Sequence, residues 1–122
     1  MINHEYEFWQ MLDKLVAECE IIVDRPKGSH HPKYKEYVYP FDYGFLSGTS
    51  AADGGGIDVW IGTSPIRLPT AIISTIDSLK KDAEIKILYA CTKDEIKLAH
   101  SYHNSTTGMK GILNIRTDIK ID

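Results

Sequence analysis

Cysteine is scarce in this chain. Cys19 and Cys91 stand far apart and form no CxxC, which excludes a disulfide framework and fits a reducing, cytoplasmic setting. No Cys/His set supplies the four ligands of a closed zinc site, so the loop pair His30-His31 reads as solvated histidine. An excess of positive charge is also missing. The formal net charge of -3 argues against a nucleic-acid backbone as partner, because such a partner needs a basic stripe. No apolar run approaches the ~20 residues of a membrane span. Glu5 and Glu7 interrupt the first apolar segment, which is therefore not read as a signal peptide. Repeats, linkers and low-complexity tracts are absent from the sequence. What remains is one domain, residues 1–122, with an ordinary soluble composition.

The first segment has helical periodicity. Asn3 is placed to cap it, with Glu5 and Glu7 at the positive end of the helix dipole. Tyr6, Trp9, Leu12, Leu15 or Val16, and Cys19 form its apolar stripe, widened by Phe8. Such a face covers a sheet or pairs with a second copy of the chain, giving a homo-oligomer. Ile21 to Asp24 reads as a short strand stopped by Pro26, and Lys27 to Pro32 as a loop. Tyr34 to Tyr39 is rich in strand formers and ends at Pro40. Ile57 to Ile61 alternates, with Asp58 and Trp60 on one face. Ile66 to Ile76 and Ile85 to Tyr89 are two further strands, separated by a turn at Lys80-Lys81-Asp82. Thr92-Lys93-Asp94-Glu95 is a capping box that opens a second helix through about His103, with Ile96, Ala99 and Tyr102 or His103 inward. Ile112 to Ile115 makes a last strand.

Chemistry concentrates between Lys33 and Asp58. Lys33, Tyr34, Lys35, Tyr37, Tyr39 and Tyr43 are followed by a turn, Asp53-Gly54-Gly55-Gly56-Ile57-Asp58, with a carboxylate at each end. Two carboxylates flanking such a turn can converge on a hard cation, since Mg²⁺ takes oxygen ligands. The plainer reading is a tight turn with solvated aspartates. For Glu84 and Lys86 the plainer reading is an exposed, ion-paired strand face, and for each tyrosine a place in the core.

The ordered set Asp24 before Pro26, Lys33-Tyr34, Tyr39-Pro40-Phe41-Asp42-Tyr43-Gly44-Phe45, Gly48-Thr49, and Asp53 to Asp58 followed by Val59 resembles the soluble, Mg²⁺-dependent inorganic pyrophosphatases. The match covers roughly Ile21 to Ile61 and weakens afterwards. The resemblance implies an α+β, mainly β fold: a small mixed-strand β-barrel with an N-terminal and a C-terminal helix, one hairpin shorter than the family form. It implies Mg²⁺, with Mn²⁺ as the alternative, held by Asp24, Asp53, Asp58 and Glu84. It implies pyrophosphate as substrate, bound by Lys33, Tyr39 and Lys86, with Tyr43 and Asp58 at the reacting centre.

The chain also departs from that pattern. Gly55 stands where the family has the aspartate that takes the proton from the attacking water, and Gly56 where it has proline. The excursion bearing a phosphate-binding arginine is missing, and Arg25 lies on the wrong side of Pro26 to replace it. The Tyr-Lys pair of the second helix is unmatched. Asp42 is the nearest carboxylate in sequence to stand in as base, and Asp77 or Asp82 as a further metal ligand. Three functions follow from these features: a metal-dependent phosphoanhydride hydrolase, a module that binds a phosphate compound without turnover, and a structural or regulatory subunit.

Overall fold

The computed structural model describes residues 3–122. The first helix, α1 (His4–Ala17), begins where Asn3 accepts a hydrogen bond from the Tyr6 N–H at 3.1 Å. Its buried side is Trp9, Leu12 and Val16; Tyr6 and Phe8 are instead exposed at the edge of the stripe. Six strands follow: β1 (Ile21–Arg25), β2 (Asp42–Leu46), β3 (Ile57–Ile61), β4 (Pro69–Asp77), β5 (Asp82–Tyr89) and, after the second helix α2 (Lys93–His103), β6 (Met109–Ile115). They form one sheet in the order β1-β2-β3-β5-β4-β6. Neighbours are antiparallel except β3 and β5, which run parallel with Val59 opposite Ile87 and Trp60 opposite Leu88.

The two faces of the sheet carry separate cores. On one face Leu46, Val59, Ile72 and Ile87 pack under Trp9, Leu12 and Val16 of α1. On the other, Phe41, Trp60, Ala71, Ile73 and Leu88 pack under Ile96 and Ala99 of α2. Strands buried on both faces lose polar alternation, as in Val59-Trp60 and Ile87-Leu88. The capping box is formed as read: Thr92 Oγ1 accepts from the Glu95 N–H, and the Glu95 carboxylate accepts from the Thr92 N–H. Glu95 also accepts from the Thr63 N–H and hydroxyl, which ties α2 to the end of β3. Arg116, just beyond β6 and buried, forks onto both Asp13 oxygens and onto Asp118, which anchors α1 to the chain's far end. Among the described residues no helix is long and apolar enough to cross a membrane.

Three expectations change. Hydrogen bonds do not close the sheet into a barrel; β1 and β6 are its edges. The β1 edge is distorted by a register shift between Val23 and Arg25. The β6 edge is occupied at Gly111, whose N–H donates to Asn104 Oδ1 and whose carbonyl accepts from Asn104 Nδ2, each at 3.1 Å. Second, Tyr34 to Tyr39 is not a strand. It is a turned excursion in which the Tyr37 N–H bonds the Tyr34 carbonyl, and the His31 Nδ1 accepts from Lys33 and Tyr34. Third, the strand lies immediately after it, at Asp42–Leu46. There Gly44 admits β1 at a distance no side chain tolerates, since a Cβ at Gly44 would lie 1.8 Å from the Ile22 carbonyl oxygen.

Candidate functional site

Period-two alternation sends Asp58 of β3 and both Glu84 and Lys86 of β5 to the face that α2 partly covers. Because β3 and β5 are parallel and in register one residue further on, Asp58 falls beside Lys86. The Lys86 ammonium donates to Asp58 Oδ2 and to Glu84 Oε2, both at 2.6 Å. Lys86 is only 5% exposed, so this is a buried cation shared by two carboxylates rather than an ion pair on an open strand face. Burial pushes the Lys86 pKa down, but Asp58 and Glu84 more than offset that and raise it overall, so the amine is charged at neutral pH.

Aromatic rings wall the cluster. Tyr43 on β2 pairs with Trp60, its ring 4.7 Å away, and stacks obliquely on Tyr39 at 5.2 Å. Burial first, and the Asp58 carboxylate second, hold the Tyr43 phenol well above its ordinary pKa, so it stays a hydrogen-bond donor. Two residues from the end of α2 complete the wall. Tyr102 stacks on Tyr39 at 5.0 Å, and its buried hydroxyl has no hydrogen-bond partner among the described residues. His103 Nε2 accepts from Trp60 Nε1 at 2.9 Å. Burial, the Lys86 charge and His100 lower the His103 pKa to about 3, so the ring is a neutral acceptor. The sequence placed Tyr102 or His103 inward from the capping box but assigned neither to the site.

The other expected residues lie apart. Asp53 sits on the exposed β2–β3 turn, where its Oδ1 accepts from the Gly55 N–H at 2.9 Å. Gly54 takes φ +83° there, and Thr49 latches the base of the turn by donating to the Leu46 carbonyl and accepting from the Ile57 N–H. Asp24 is exposed on β1 with Arg25 at 3.6 Å. Lys33 is exposed on the tyrosine excursion, over the Tyr34 ring. Asp42 accepts from the Lys27 N–H, which ties β2 to the loop after β1, and Asp77 accepts from the N–H groups of Leu79 and Lys80 in its own turn, so both carboxylates serve the backbone. Among the described residues no three His, Cys, Asp or Glu side chains gather as a metal site. The carboxylates that do meet are Asp58 and Glu84.

This mixed sheet with a helix on each face matches solved structures. A crystal structure of an inorganic pyrophosphatase from Neisseria gonorrhoeae superimposes with a TM-score of 0.59 at 17% identity, over 74% of this chain and 77% of that one. The protein has the inorganic pyrophosphatase fold. The inorganic pyrophosphatase of Helicobacter pylori superimposes with a TM-score of 0.51 at 14% identity, over 80% of this chain and 81% of that one. No family model matches the sequence, and no curated protein matches it either. At such identities the likeness is one of architecture. The pyrophosphatase fold here presents a polar cluster, Asp58–Lys86–Glu84 with Tyr43, on an otherwise apolar face.

Proposed function

We propose that the protein is a phosphoanhydride hydrolase of pyrophosphatase type, with pyrophosphate as substrate and Mg²⁺ or Mn²⁺ as cofactor. The observation that carries the reading is the convergence of Asp58 and Glu84 on a single positive charge beside Tyr43. Two carboxylates that already share one cationic nitrogen have the chemistry Mg²⁺ uses, one or two carboxylates completed by phosphate oxygens and water. Asp58 and Glu84 are therefore the residues to hold it; Asp53 and Asp24 join only if the β2–β3 turn and β1 rearrange. When bound, a divalent ion lowers the pKa of a coordinated water and neutralises phosphate charge.

The chain supplies the rest. Lys86 carries a charge that can face a phosphate oxygen, and Tyr43 offers a hydroxyl proton beside Asp58. Trp60, Tyr39 and Tyr102 keep bulk water from the inner side of the cluster. Lys33 stands on the excursion as an outer contact for a polyanion. Gly55 provides no base, so proton removal falls to solvent or to Asp58, and turnover is slow; losing a base typically costs about 10²–10⁴-fold. The domain acts whole, as residues 1–122, in the cytoplasm, with α1 available to a second copy.

A second reading, binding without turnover, is favoured by Gly55 together with Asp53, whose carboxylate is engaged by its own turn. Phosphate release from pyrophosphate, measured with Mg²⁺, Mn²⁺ and chelator, separates the two. Metal-dependent release that falls at least about a hundredfold in Asp58→Asn supports the hydrolase. No release, with pyrophosphate still raising Tm, supports binding alone. Neither response overturns both.

A further inference from the structure

We propose that Lys86 is a tethered counter-ion that makes divalent-cation binding at Asp58 and Glu84 conditional on a phosphate anion. The proposal rests on the reading that these two carboxylates hold the cation. Both carboxylates accept from the same nitrogen through their near oxygens, at 2.6 Å each, so the place where their charges converge is filled by the chain itself. Lys86 and the Glu84 side chain are both more than nine-tenths buried, and water screens little of the contest between Lys86 and an arriving cation. Cation binding alone must therefore evict an ammonium from its two partners.

An evicted ammonium needs an acceptor. The groups around it offer little: Tyr43 is a protonated phenol beside Asp58, and the neutral His103 ring already accepts from Trp60. Asp53 is folded onto Gly55, and Asp24 lies exposed beside Arg25. A phosphate oxygen supplies what these do not. The lysine stem is flexible and its head a compact charge, so a short swing exchanges carboxylate for phosphate. Phosphate and cation then favour one another: the anion draws Lys86 away and frees the pair, while the cation frees Lys86 for the anion. Linkage makes the effect reciprocal, with one coupling factor for both ligands.

The test is Mn²⁺ binding to the folded protein, followed by calorimetry and by electron paramagnetic resonance of bound Mn²⁺, with and without saturating inorganic phosphate. In the wild type phosphate should tighten Mn²⁺ binding by about tenfold or more, within the usual span of allosteric coupling. Lys86→Met should bind Mn²⁺ without phosphate about tenfold more tightly than the wild type, and its coupling should fall towards one. Lys86→Arg, which keeps the charge if the methionine variant does not fold, should leave Mn²⁺ weak without phosphate. Equal Mn²⁺ affinity with and without phosphate in the wild type overturns the proposal and leaves the metal site standing. So does a folded Lys86→Met that binds no more tightly. Absence of Mn²⁺ binding in all variants, with phosphate present, removes the metal reading itself.

Discussion

Trp60 Nε1 donates to His103 Nε2 at 2.9 Å, a buried bond between the centre of the sheet and the last turn of α2. It requires a neutral imidazole, and the His103 pKa of about 3 against an ordinary 6.5 provides one. The unfolded chain takes up that proton near pH 6.5 and the folded chain does not. This contribution to stability is thus constant above pH 6.5 and declines between about pH 6.5 and 3, at up to ~1.4 kcal/mol per pH unit. His103→Gln keeps an acceptor for Trp60 but cannot be protonated. The stability advantage of wild type over His103→Gln should shrink as pH falls from 6.5 to 4 in urea titrations; a pH-independent difference contradicts the assignment.

Glu95 serves three donors at once, from Thr92 and Thr63. Burial raises its pKa, but the backbone bonds from Thr92 and Thr63 outweigh this and lower it overall. Its stabilisation is present above the ordinary value of 4.5 and is lost as pH falls below it. Thr92→Ala should cost about 1 kcal/mol. Glu95→Ala should cost more, roughly 2 kcal/mol, since it also strands the Thr63 donors. Denaturation at pH 7 ranks the two; a milder Glu95→Ala refutes the shared role.

Gly55 can accept a side chain. Its φ lies outside the left-handed region, unlike that of Gly54, and an added Cβ would meet the exposed Asp53 Oδ1 at 3.3 Å, a contact that a small rotation relieves. Gly55→Asp should therefore fold and, with the β2–β3 turn rearranged towards Asp58 as cation binding by Asp53 also requires, should raise metal-dependent phosphate release by about 10²–10⁴-fold, the usual contribution of a positioned base. Gly55→Asn should not. Equal rates in the two variants would show that the missing carboxylate is not what limits the wild type.

Arg116 holds Asp13 of α1 through two hydrogen bonds while buried. Asp13→Ala leaves that guanidinium with Asp118 and the Pro69 carbonyl and should cost about 3 kcal/mol. Chemical denaturation of Asp13→Ala beside Arg116→Met checks it: the methionine variant, which leaves no uncompensated buried charge, should be the more stable of the two.

The helices were legible because their signals are local. Asn3, the Thr92–Glu95 box and the spacing of Trp9, Leu12 and Val16 each act within a few residues. Tyr34–Tyr39 misled because aromatic residues favour strands wherever they can pack; here the rings of His31, Tyr34, Tyr37 and Tyr39 pack against one another instead, stacked, tilted and edge-on. β2 was hidden behind Pro40 and Gly44, a breaker and a weak strand former, and its glycine makes sense only with Ile22 lying across it. Asp58, Glu84 and Lys86 were each singled out from the sequence as candidate site residues. That they meet as one buried group was not, because it depends on β4 crossing to the far side of β5 and leaving β3 and β5 parallel neighbours. Asp53 was read as a partner of Asp58 from the turn between them, whereas its carboxylate satisfies that turn's own backbone.

The carboxamide of Asn104 on Gly111 has a consequence for life in a crowded solution. β6 is seven residues long and carries the exposed Ile112 and Ile115, the composition of a border that recruits foreign strands. Asn104 meets the donor and the acceptor of one peptide there, as an incoming strand would, and is itself fixed to the His100 carbonyl. A single side chain so placed takes one peptide out of the open border, and an incoming strand would have to displace it before pairing along β6.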